Sequence, residues 1–346
     1  MKFGFFTHMP WPEDTSPDRI IGNTTEQIQY AESLGFYSAW LAEHHFTRYC
    51  MGASTLVIAA NLAARTKSIR LGTAVLVSPL HNPLRLAEDI ATLDLLSAGR
   101  VDVGFGRGSG GYEYHGYNVE REGSQKKFQE SIKILEGVWT TPEFSFDGEY
   151  FQVNKVNLVP PPVQSPHPPI YIAATRTPET LDFAVSTGHN LCIAVVQDTS
   201  DALDLCQRFA AKSVDAGFNV PVSDIPFFRY CYVAETEQQA IDDTRERLNW
   251  VVDIMQWRNN IPSGSELHLK IEDWRSSRSE QPATYEYLNK NRAVIGTPEQ
   301  CVAQINEFRK IGIDYFGCNF DFGGMPHEKV LRSMDLFAKE VMPKLV

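Results

Sequence analysis

Three ionisable side chains, Glu43, His44 and His45, stand in a row directly after the apolar run 37–42. That run is too short for a helix and follows a helix predicted to stop at Gly35, so we predict a strand. In a parallel α/β protein the carboxyl end of a strand faces the ligand site, where imidazoles and carboxylates transfer protons. We therefore expect at least one of the three to act chemically. The competing interpretation is that one histidine packs in the core and the other is solvated.

A glycine-rich loop at residues 106–111, Gly-Arg-Gly-Ser-Gly-Gly, follows another predicted strand, at residues 101–105. It has the G-x-G-x-x-G spacing. A dinucleotide site would need a helix to begin at once and an acidic residue on the next strand. The sequence instead predicts a loop over residues 112–117, so this interpretation is disfavoured. Arg107 at a strand end still suits a phosphate, because arginine forms bidentate charge-assisted pairs. The alternative is a merely flexible loop.

A second candidate anion site lies at residues 175–180, Thr-Arg-Thr-Pro-Glu-Thr, where a predicted strand gives way to a helix. Free backbone N–H groups of a first helical turn attract phosphate, and the hydroxyls of Thr177 and Thr180 add hydrogen bonds. Ordinary capping of the helix by Thr177 explains the same residues equally well. Two anion sites on neighbouring strand ends favour one phosphorylated cofactor.

Composition narrows the class of protein. The 346 residues, 43% hydrophobic and 22% charged, indicate a globular protein with a sizeable core. A formal net charge of −11 argues against nucleic-acid or anionic-membrane partners. The absence of a signal peptide and of an apolar run long enough to span a membrane predicts a cytoplasmic enzyme. Six scattered cysteines suit a reducing compartment: Cys50, Cys192, Cys206, Cys231, Cys301 and Cys318.

Predicted strands and helices alternate along the whole chain, as in a single (β/α)8 TIM barrel spanning residues 1–346. A hairpin is predicted at Phe144 to Val153, centred on Asp147-Gly148. The polar residues 258–291 are predicted to form a long lid loop. The alternative to the (β/α)8 barrel is a doubly wound sheet. The eight strands are predicted at 3–7, 37–42, 69–77, 101–105, 170–174, 190–196, 227–234 and 313–318.

The order of several short motifs resembles the bacterial luciferase-like, flavin-dependent monooxygenases over nearly the whole chain. The Glu-His-His strand end, the Gly-Thr strand and the Gly-Arg to Arg-Gly span are fairly specific in combination. That family has a (β/α)8 barrel and usually dimerises, so the resemblance implies a homodimer here. The matching stretches are residues 41–47, 59–66, 71–74, 88–94, 99–108 and 296–301, with the Gly-Ile-Asp segment at 312–314.

The resemblance also assigns roles to individual residues. It implies that His44 is the catalytic histidine with Glu43 as its acidic neighbour, and that residues 258–291 are a mobile lid. Ala74 and Val75 match a cis peptide beside the flavin ring. Gly106 stands where the luciferase can carry a reactive cysteine, so no thiol is expected there. The residues expected to hold the flavin phosphate are Arg107, Thr177 and Thr180, with Arg176 where the luciferase has a carboxylate.

The activity expected from this resemblance is a two-component monooxygenase. Reduced FMN (FMNH2) would be supplied by a separate flavin reductase, and O2 would oxidise a small apolar aldehyde or other carbonyl compound through a flavin C4a-hydroperoxide. His44, with an ordinary pKa of about 6.5, would move a proton. Six aromatic residues either line the substrate pocket or simply pack: Phe6, Trp11, Phe46, Tyr112, Tyr114 and Tyr117.

Three other functions are open at this point. The first is a deazaflavin (F420)-dependent oxidoreductase, because that cofactor serves other members of the superfamily. The second is a metal-dependent hydrolase using His44, His45, His8 and aspartates, although adjacent residues of a strand point to opposite faces and rarely share an ion. The third is a non-catalytic flavin-binding homologue. No metal ligand set is expected.

Overall fold

Strands and helices alternate from the first residues onwards, in a computed structural model that describes residues 1–175, 177–260 and 284–345. None of the described helices is long and apolar enough to cross a bilayer. Up to residue 156 the elements are β1 Lys2–Thr7, α1 Pro17–Ser33, β2 Ser38–Leu41, α2 Thr55–Arg65, β3 Arg70–Val77, α3 Pro83–Leu96, β4 Val101–Gly106, α4 Gly111–Gly116, α5 Ser124–Thr140, β5 Phe144–Asp147 and β6 Gln152–Val156.

The second half continues the alternation after an extended, proline-rich connection. Its elements are β7 Ile170–Ala173, α6 Pro178–Thr187, β8 Asn190–Cys192, α7 Thr199–Asp215, β9 Phe227–Val233, α8 Glu237–Asn260, α9 Tyr285–Arg292, β10 Ala293–Gly296, α10 Pro298–Arg309, β11 Tyr315–Asn319 and α11 His327–Leu336. The eight predicted strands are all present, although β8 ends at Cys192 rather than Val196.

The described residues form one parallel sheet of nine strands, in the order β10-β9-β11-β1-β2-β3-β4-β7-β8, while β5 and β6 pair antiparallel by themselves. Ile193, directly after β8, donates its backbone N–H to the Pro226 carbonyl at 3.0 Å and accepts from the Phe228 N–H at 3.2 Å. This bridge places the end of β8 beside β9. The sheet is therefore strongly curled, and all its strands point their carboxyl ends in one direction.

Large side chains fill the inside of the curl near the amino ends of the strands. The Trp40 indole N–H lies 2.9 Å from both the Ser38 and the Tyr315 hydroxyl oxygens, so its polar atom is satisfied in the core. A Cβ at Gly72 would lie 2.2 Å from the Trp40 ring, so only glycine leaves room for the indole. This packing closes the amino end and leaves the carboxyl end as the open face.

Two local predictions are wrong, each for a physical reason. Residues 112–117, predicted as a loop, lie mostly in α4, which is too short to show a helical period. Strand β10 was missed because it is only four residues long.

The predicted lid falls largely outside the described residues. Of the segment 258–291, α8 continues to Asn260 and α9 begins at Tyr285, whereas residues 261–283 are not described. In the flavin-phosphate set implied by the resemblance, Arg176 also lies outside the described residues.

Candidate active site

A cleft opens at the carboxyl ends of strands β1 to β4, β7 and β8. It contains a cavity of about 210 Å³ within an open space of about 1030 Å³. It lies where parallel α/β folds place their ligands, and clefts of this kind accept cofactor-sized molecules. Its lining residues are Phe6, His8, Glu43, His44, Tyr49, Ala74, Val75, Val77, Gly106, Arg107, Gly108, Ser109, Ala173, Thr175, Thr177, Thr180, Cys192, Ala194, Val195, Val196 and Phe228.

The residues singled out in the sequence meet in this one cleft. They come from four separate strands, β2, β3, β4 and β7, and lie up to 137 positions apart in the chain, counted from Glu43 to Thr180. All but one of the predicted site residues line it, the exception being Arg176, which is not described. Their order around the cleft follows the order of the strands, with Glu43 and His44 after β2 and the two threonines after β7. We conclude that the sequence motifs converge on a single site.

One corner of the cleft has the donors of an anion site. Within the described residues the Arg107 guanidinium forms no ion pair, and the Thr177 side chain does not cap α6, so the capping explanation fails. The Thr180 hydroxyl donates to Gln125 Oε1 at 3.2 Å, which leaves the buried Gln125 Nε2 without an acceptor among the described residues. A buried amide donor costs free energy unless it is bonded, so an oxyanion beside it would satisfy this corner. No motif in the sequence pointed to Gln125.

The glycine-rich loop is held in place rather than merely flexible. The Tyr114 hydroxyl donates to the Arg107 carbonyl. A Cβ at Gly106 would lie 2.6 Å from Val75 Cγ2, and Gly108 has a φ of +79° with Val77 Cγ1 only 2.5 Å from where its Cβ would be. Both glycines let the loop approach β3 closely enough to form the cleft wall. In β3 the Ala74–Val75 peptide bond is cis, as the resemblance implies.

The acidic partner of His44 is Glu113, a residue that the sequence analysis missed. His44 Nδ1 lies 2.9 Å from Glu113 Oε1, and the same oxygen accepts the His45 backbone N–H at 3.1 Å. Glu113 is fully buried on α4, so an imidazole and an N–H compensate its charge. A carboxylate bonded to Nδ1 fixes the orientation of the ring. The one available signal was a glutamate among three tyrosines after the glycine-rich loop.

Glu43 has a different position from the one its place in the sequence suggested. Its Oε1 lies 3.0 Å from His45 Nε2 and 2.8 Å from His81 Nε2, not near His44. Burial alone would raise the pKa of Glu43, but the hydrogen bonds from His45 and His81 outweigh burial and hold it below 4.5. Burial acts to lower the pKa of His81, and the bond to Glu43 raises it above 6.5. Glu43 is therefore an anion enclosed by imidazoles.

The two adjacent histidines point to different surroundings. His44 faces the cleft, while His45 turns away to Glu43 and the Tyr117 hydroxyl, 3.1 Å from its Nδ1. They cannot share an ion in this arrangement, which contradicts the metal-hydrolase alternative. Among residues 1–175, 177–260 and 284–345 no group of three histidine, cysteine or acidic side chains could hold a metal.

The aromatic residues proposed for the substrate pocket are mostly packing residues. Only Phe6 lines the cleft. Burial also raises the pKa of the Cys192 thiol in the cleft to about 12, so it stays protonated and unreactive at neutral pH. The five aromatic residues outside the cleft lining are Trp11, Phe46, Tyr112, Tyr114 and Tyr117.

Whole-chain comparisons extend the similarity beyond the cleft. The family model of luciferase-like monooxygenases matches residues 1–315. The chain is 27% identical over 349 residues to the oxygenase component of the flavin-dependent trigonelline monooxygenase of Acinetobacter baylyi, covering 99% of this chain and 95% of that protein. It is also 27% identical over 368 residues to the alkanal monooxygenase alpha chain of the Kryptophanaron alfredi symbiont, covering 100% and 98%.

Solved structures share the fold. The monooxygenase RslO1 from Streptomyces bottropensis superposes with a TM-score of 0.88 at 25% identity, covering 100% of both chains. The oxygenating constituent of the 3,6-diketocamphane monooxygenase of Pseudomonas putida, solved with FMN, gives 0.82 at 20% identity, covering 100% and 99%. An F420-dependent secondary alcohol dehydrogenase gives 0.78 at 19% identity, also covering 100% and 99%. The last two show the fold alone.

Replacing His81 with glutamine tests the enclosed Glu43 anion. A lowered acid pKa stabilises the fold above about pH 4.5, and this contribution is lost as the pH falls. A raised histidine pKa stabilises the fold below about pH 6.5, and this contribution is lost as the pH rises. Urea unfolding should therefore show the largest loss in His81→Gln, about 1.5 kcal/mol, between these pH values. For His115→Gln, at an exposed position, the difference from wild type in the free energy of unfolding should not change with pH. A loss of stability in His81→Gln that keeps growing above pH 8 would contradict the assignment.

Proposed function

The chain belongs to the luciferase-like monooxygenase family, and from that premise we propose that it is the oxygenase component of a two-component system. Reduced FMN, supplied by a separate flavin reductase, and O2 would serve to oxidise a small apolar aldehyde or other carbonyl compound. The observation that carries this proposal is the convergence, in one cleft, of an arginine, two threonine hydroxyls and a carboxylate-bonded histidine.

The residues present fit FMN. Thr177 and Thr180 stand at the amino end of α6, where free backbone N–H groups add to the attraction for a phosphate, and Arg107 lines the same cleft. The buried Gln125 amide donor beside Thr180 needs an acceptor, which a phosphate oxygen supplies. Ala74 and Val75 form the apolar wall opposite, suited to a flat ring. When bound, reduced flavin would supply the electrons that activate O2.

The chain itself would bind, orient and move a proton. Glu113 holds the His44 ring through Nδ1, so that Nε2 is the atom that would exchange a proton with a bound molecule. Glu43, enclosed by His45 and His81, would support the loop that carries His44 rather than act on the substrate. The apolar residues around the cleft would limit water near the reacting atoms.

FMN is favoured over deazaflavin F420 by the nearer relatives. The trigonelline monooxygenase component is described as flavin-dependent, and its alignment covers almost the whole of both chains. The F420-dependent dehydrogenase is similar at 19% identity, a level that supports the common fold and not a common cofactor. A non-catalytic flavin-binding homologue is disfavoured because the His44–Glu113 pair is intact in the cleft.

The finer architecture is part of the proposal. The bridge between Ile193 and β9 supports closure of eight strands into a (β/α)8 barrel, with β10 as an extra edge strand. We propose a single barrel domain that acts as a homodimer in the cytoplasm, with transient or diffusive supply of FMNH2 by the reductase.

Arg107→Gln tests the phosphate corner by its effect on two ligands. The guanidinium should contribute a charge-assisted bond to the FMN phosphate, so the variant should bind FMN about 10- to 100-fold more weakly. Riboflavin, which lacks the phosphate, should bind wild type and variant alike in a fluorescence titration. Arg121→Gln, at an exposed position outside the cleft lining, is the control. Equal losses for FMN and riboflavin would overturn the assignment.

His44→Ala tests the proton-transfer role. With saturating FMNH2 and the best compound from an aldehyde and ketone panel, kcat should fall about 10²- to 10⁴-fold. In Glu113→Gln, kcat should fall less than in His44→Ala, because the His44 ring keeps a neutral hydrogen-bond partner. The pH profile of kcat should also change in this variant. His115→Ala, at an exposed position of α4, should retain wild-type turnover. If His44→Ala stays within about two-fold of wild type, His44 is not the acid–base group.

A further inference from the structure

A buried arginine outside the cleft lining takes no part in the function proposed so far. Arg229, on β9, is completely buried, yet it forms no ion pair with any carboxylate among the described residues. Its guanidinium carbon lies 4.0 Å from the centre of the Phe227 ring, and its Nη2 has no acceptor in the described part of the chain. Burying a charge in this way costs free energy that an apolar side chain would avoid. Packing alone therefore does not account for this arginine.

Two of the hydrogen bonds of Arg229 go to the two ends of one turn, residues 194–199. Its Nη1 donates to the Ala194 carbonyl at 3.4 Å, and its Nε donates to the Thr199 hydroxyl oxygen at 3.1 Å. A further bond from Nη1 to the Phe228 carbonyl, at 2.7 Å, holds the guanidinium against its own strand. Because the guanidinium is planar and rigid, these bonds fix both ends of the 194–199 turn relative to β9.

The 194–199 turn is also bound to α9. The same Thr199 hydroxyl donates to the Asn291 carbonyl at 2.7 Å, so one side-chain oxygen connects β9 with α9. The neighbouring Asp198 carboxylate lies 2.6 Å from Arg292 Nε and accepts the Tyr287 hydroxyl. The turn is therefore held by a strand on one side and by a helix on the other.

The middle of the 194–199 turn forms part of the cleft wall. Ala194, Val195 and Val196 line the cleft, as does the buried Cys192 at the end of β8. Alanine and valine side chains make no hydrogen bonds, so the position of this wall depends on how the ends of the turn are held. A displaced turn would widen the cleft and uncover the Cys192 thiol.

We propose that Arg229 is a positioning residue of the cleft, which holds both ends of the 194–199 turn and so keeps the apolar wall at residues 194–196 in place. The inference rests on the proposed function only for the identity of the molecules that this wall contacts. Arg229 itself does not line the cleft. Loss of its bonds should therefore weaken the binding of different cleft ligands by a similar factor, without selecting for one chemical group.

Cys192 is a natural reporter of the position of the wall. It is buried and its thiol stays protonated, so it should react slowly with N-ethylmaleimide in the ligand-free wild type. In Arg229→Met this rate should rise about 10- to 100-fold, the effect on local opening of losing a hydrogen bond to a charged group. The rates at Cys50 and Cys301, which are buried outside the cleft lining, should stay unchanged. Mass spectrometry of the labelled peptides gives the rate at each cysteine.

Two further variants separate positioning from general loss of stability. The Arg100 guanidinium also binds a threonine hydroxyl, of Thr66 at 2.9 Å, and a backbone carbonyl, of Ile69 at 2.8 Å, but it lies at the amino end of β4. Arg100→Met is therefore the matched control and should leave the rate at Cys192 at the wild-type value. Arg229→Lys keeps the charge with fewer donors, so its rate should fall between those of wild type and Arg229→Met. Thermal unfolding of each variant checks that the fold is intact.

A second measurement relates the turn to binding. In a fluorescence titration FMN and riboflavin should both bind Arg229→Met more weakly, and by the same factor. The ratio of their affinities should keep its wild-type value, in contrast to the changed ratio expected for Arg107→Gln. A changed ratio in Arg229→Met would mean that this arginine acts through the phosphate corner, and would overturn its assignment to the wall.

A wild-type labelling rate at Cys192 in Arg229→Met overturns the proposal. If this variant unfolds, or if Cys50 and Cys301 also react faster, Thr199→Val decides, because it removes the hydroxyl that connects β9 with α9. A selective rise at Cys192 in Thr199→Val supports the proposal, and an unchanged rate overturns it. The labelling uses ligand-free protein, so it tests the wall even if no flavin binds. Flavin binding with unchanged labelling would support the proposed function without this role for Arg229.

Discussion

Two carboxylates buried at the carboxyl face of the sheet constrain this site more than any other feature. Glu43 and Glu113 are almost completely buried, and an ionised carboxylate in such a place is stable only when donors surround it. Imidazoles supply those donors: His45 and His81 for Glu43, and His44 for Glu113. The two requirements together set the path of the chain after β2 and turn His44 into the cleft. The orientation of the proposed proton-transfer group is thus a consequence of satisfying buried charge.

The parallel sheet then brings this histidine to the flavin-sized space. All strands end on one face, so a loop after β4 and a helix after β7 stand across the cleft from the loop after β2. Glycines at positions 106 and 108 allow the β4 loop to lie against β3, and Arg107 lines the same cleft as Thr177 and Thr180. Arg107, the two threonines and His44 therefore line one continuous cleft.

Much of this arrangement could be predicted from sequence because it depends on strand ends and short motifs. The Glu-His-His run, the glycine-rich loop and the Thr-Arg-Thr-Pro segment each follow an apolar strand, and the parallel fold brings such ends together. Glu113 could not be paired with His44 in the same way, because 69 positions separate them and α4 has no helical period of its own. The partners of Glu43 were misjudged because adjacency in sequence is not adjacency in space: side chains at positions 43 and 44 point in different directions.

The most direct test of the central claim is an anaerobic titration of the purified protein with FMNH2, followed by rapid mixing with oxygenated buffer. The account predicts stoichiometric binding, and recovery of the oxidised-flavin absorbance that takes seconds or longer, more slowly than for free FMNH2, because the cleft controls access of water and protons to the bound flavin. Absence of binding to FMN in either redox state, together with binding of reduced F420, would contradict the account. So would recovery as fast as that of free FMNH2, since the cleft would then contribute nothing to the reaction with oxygen.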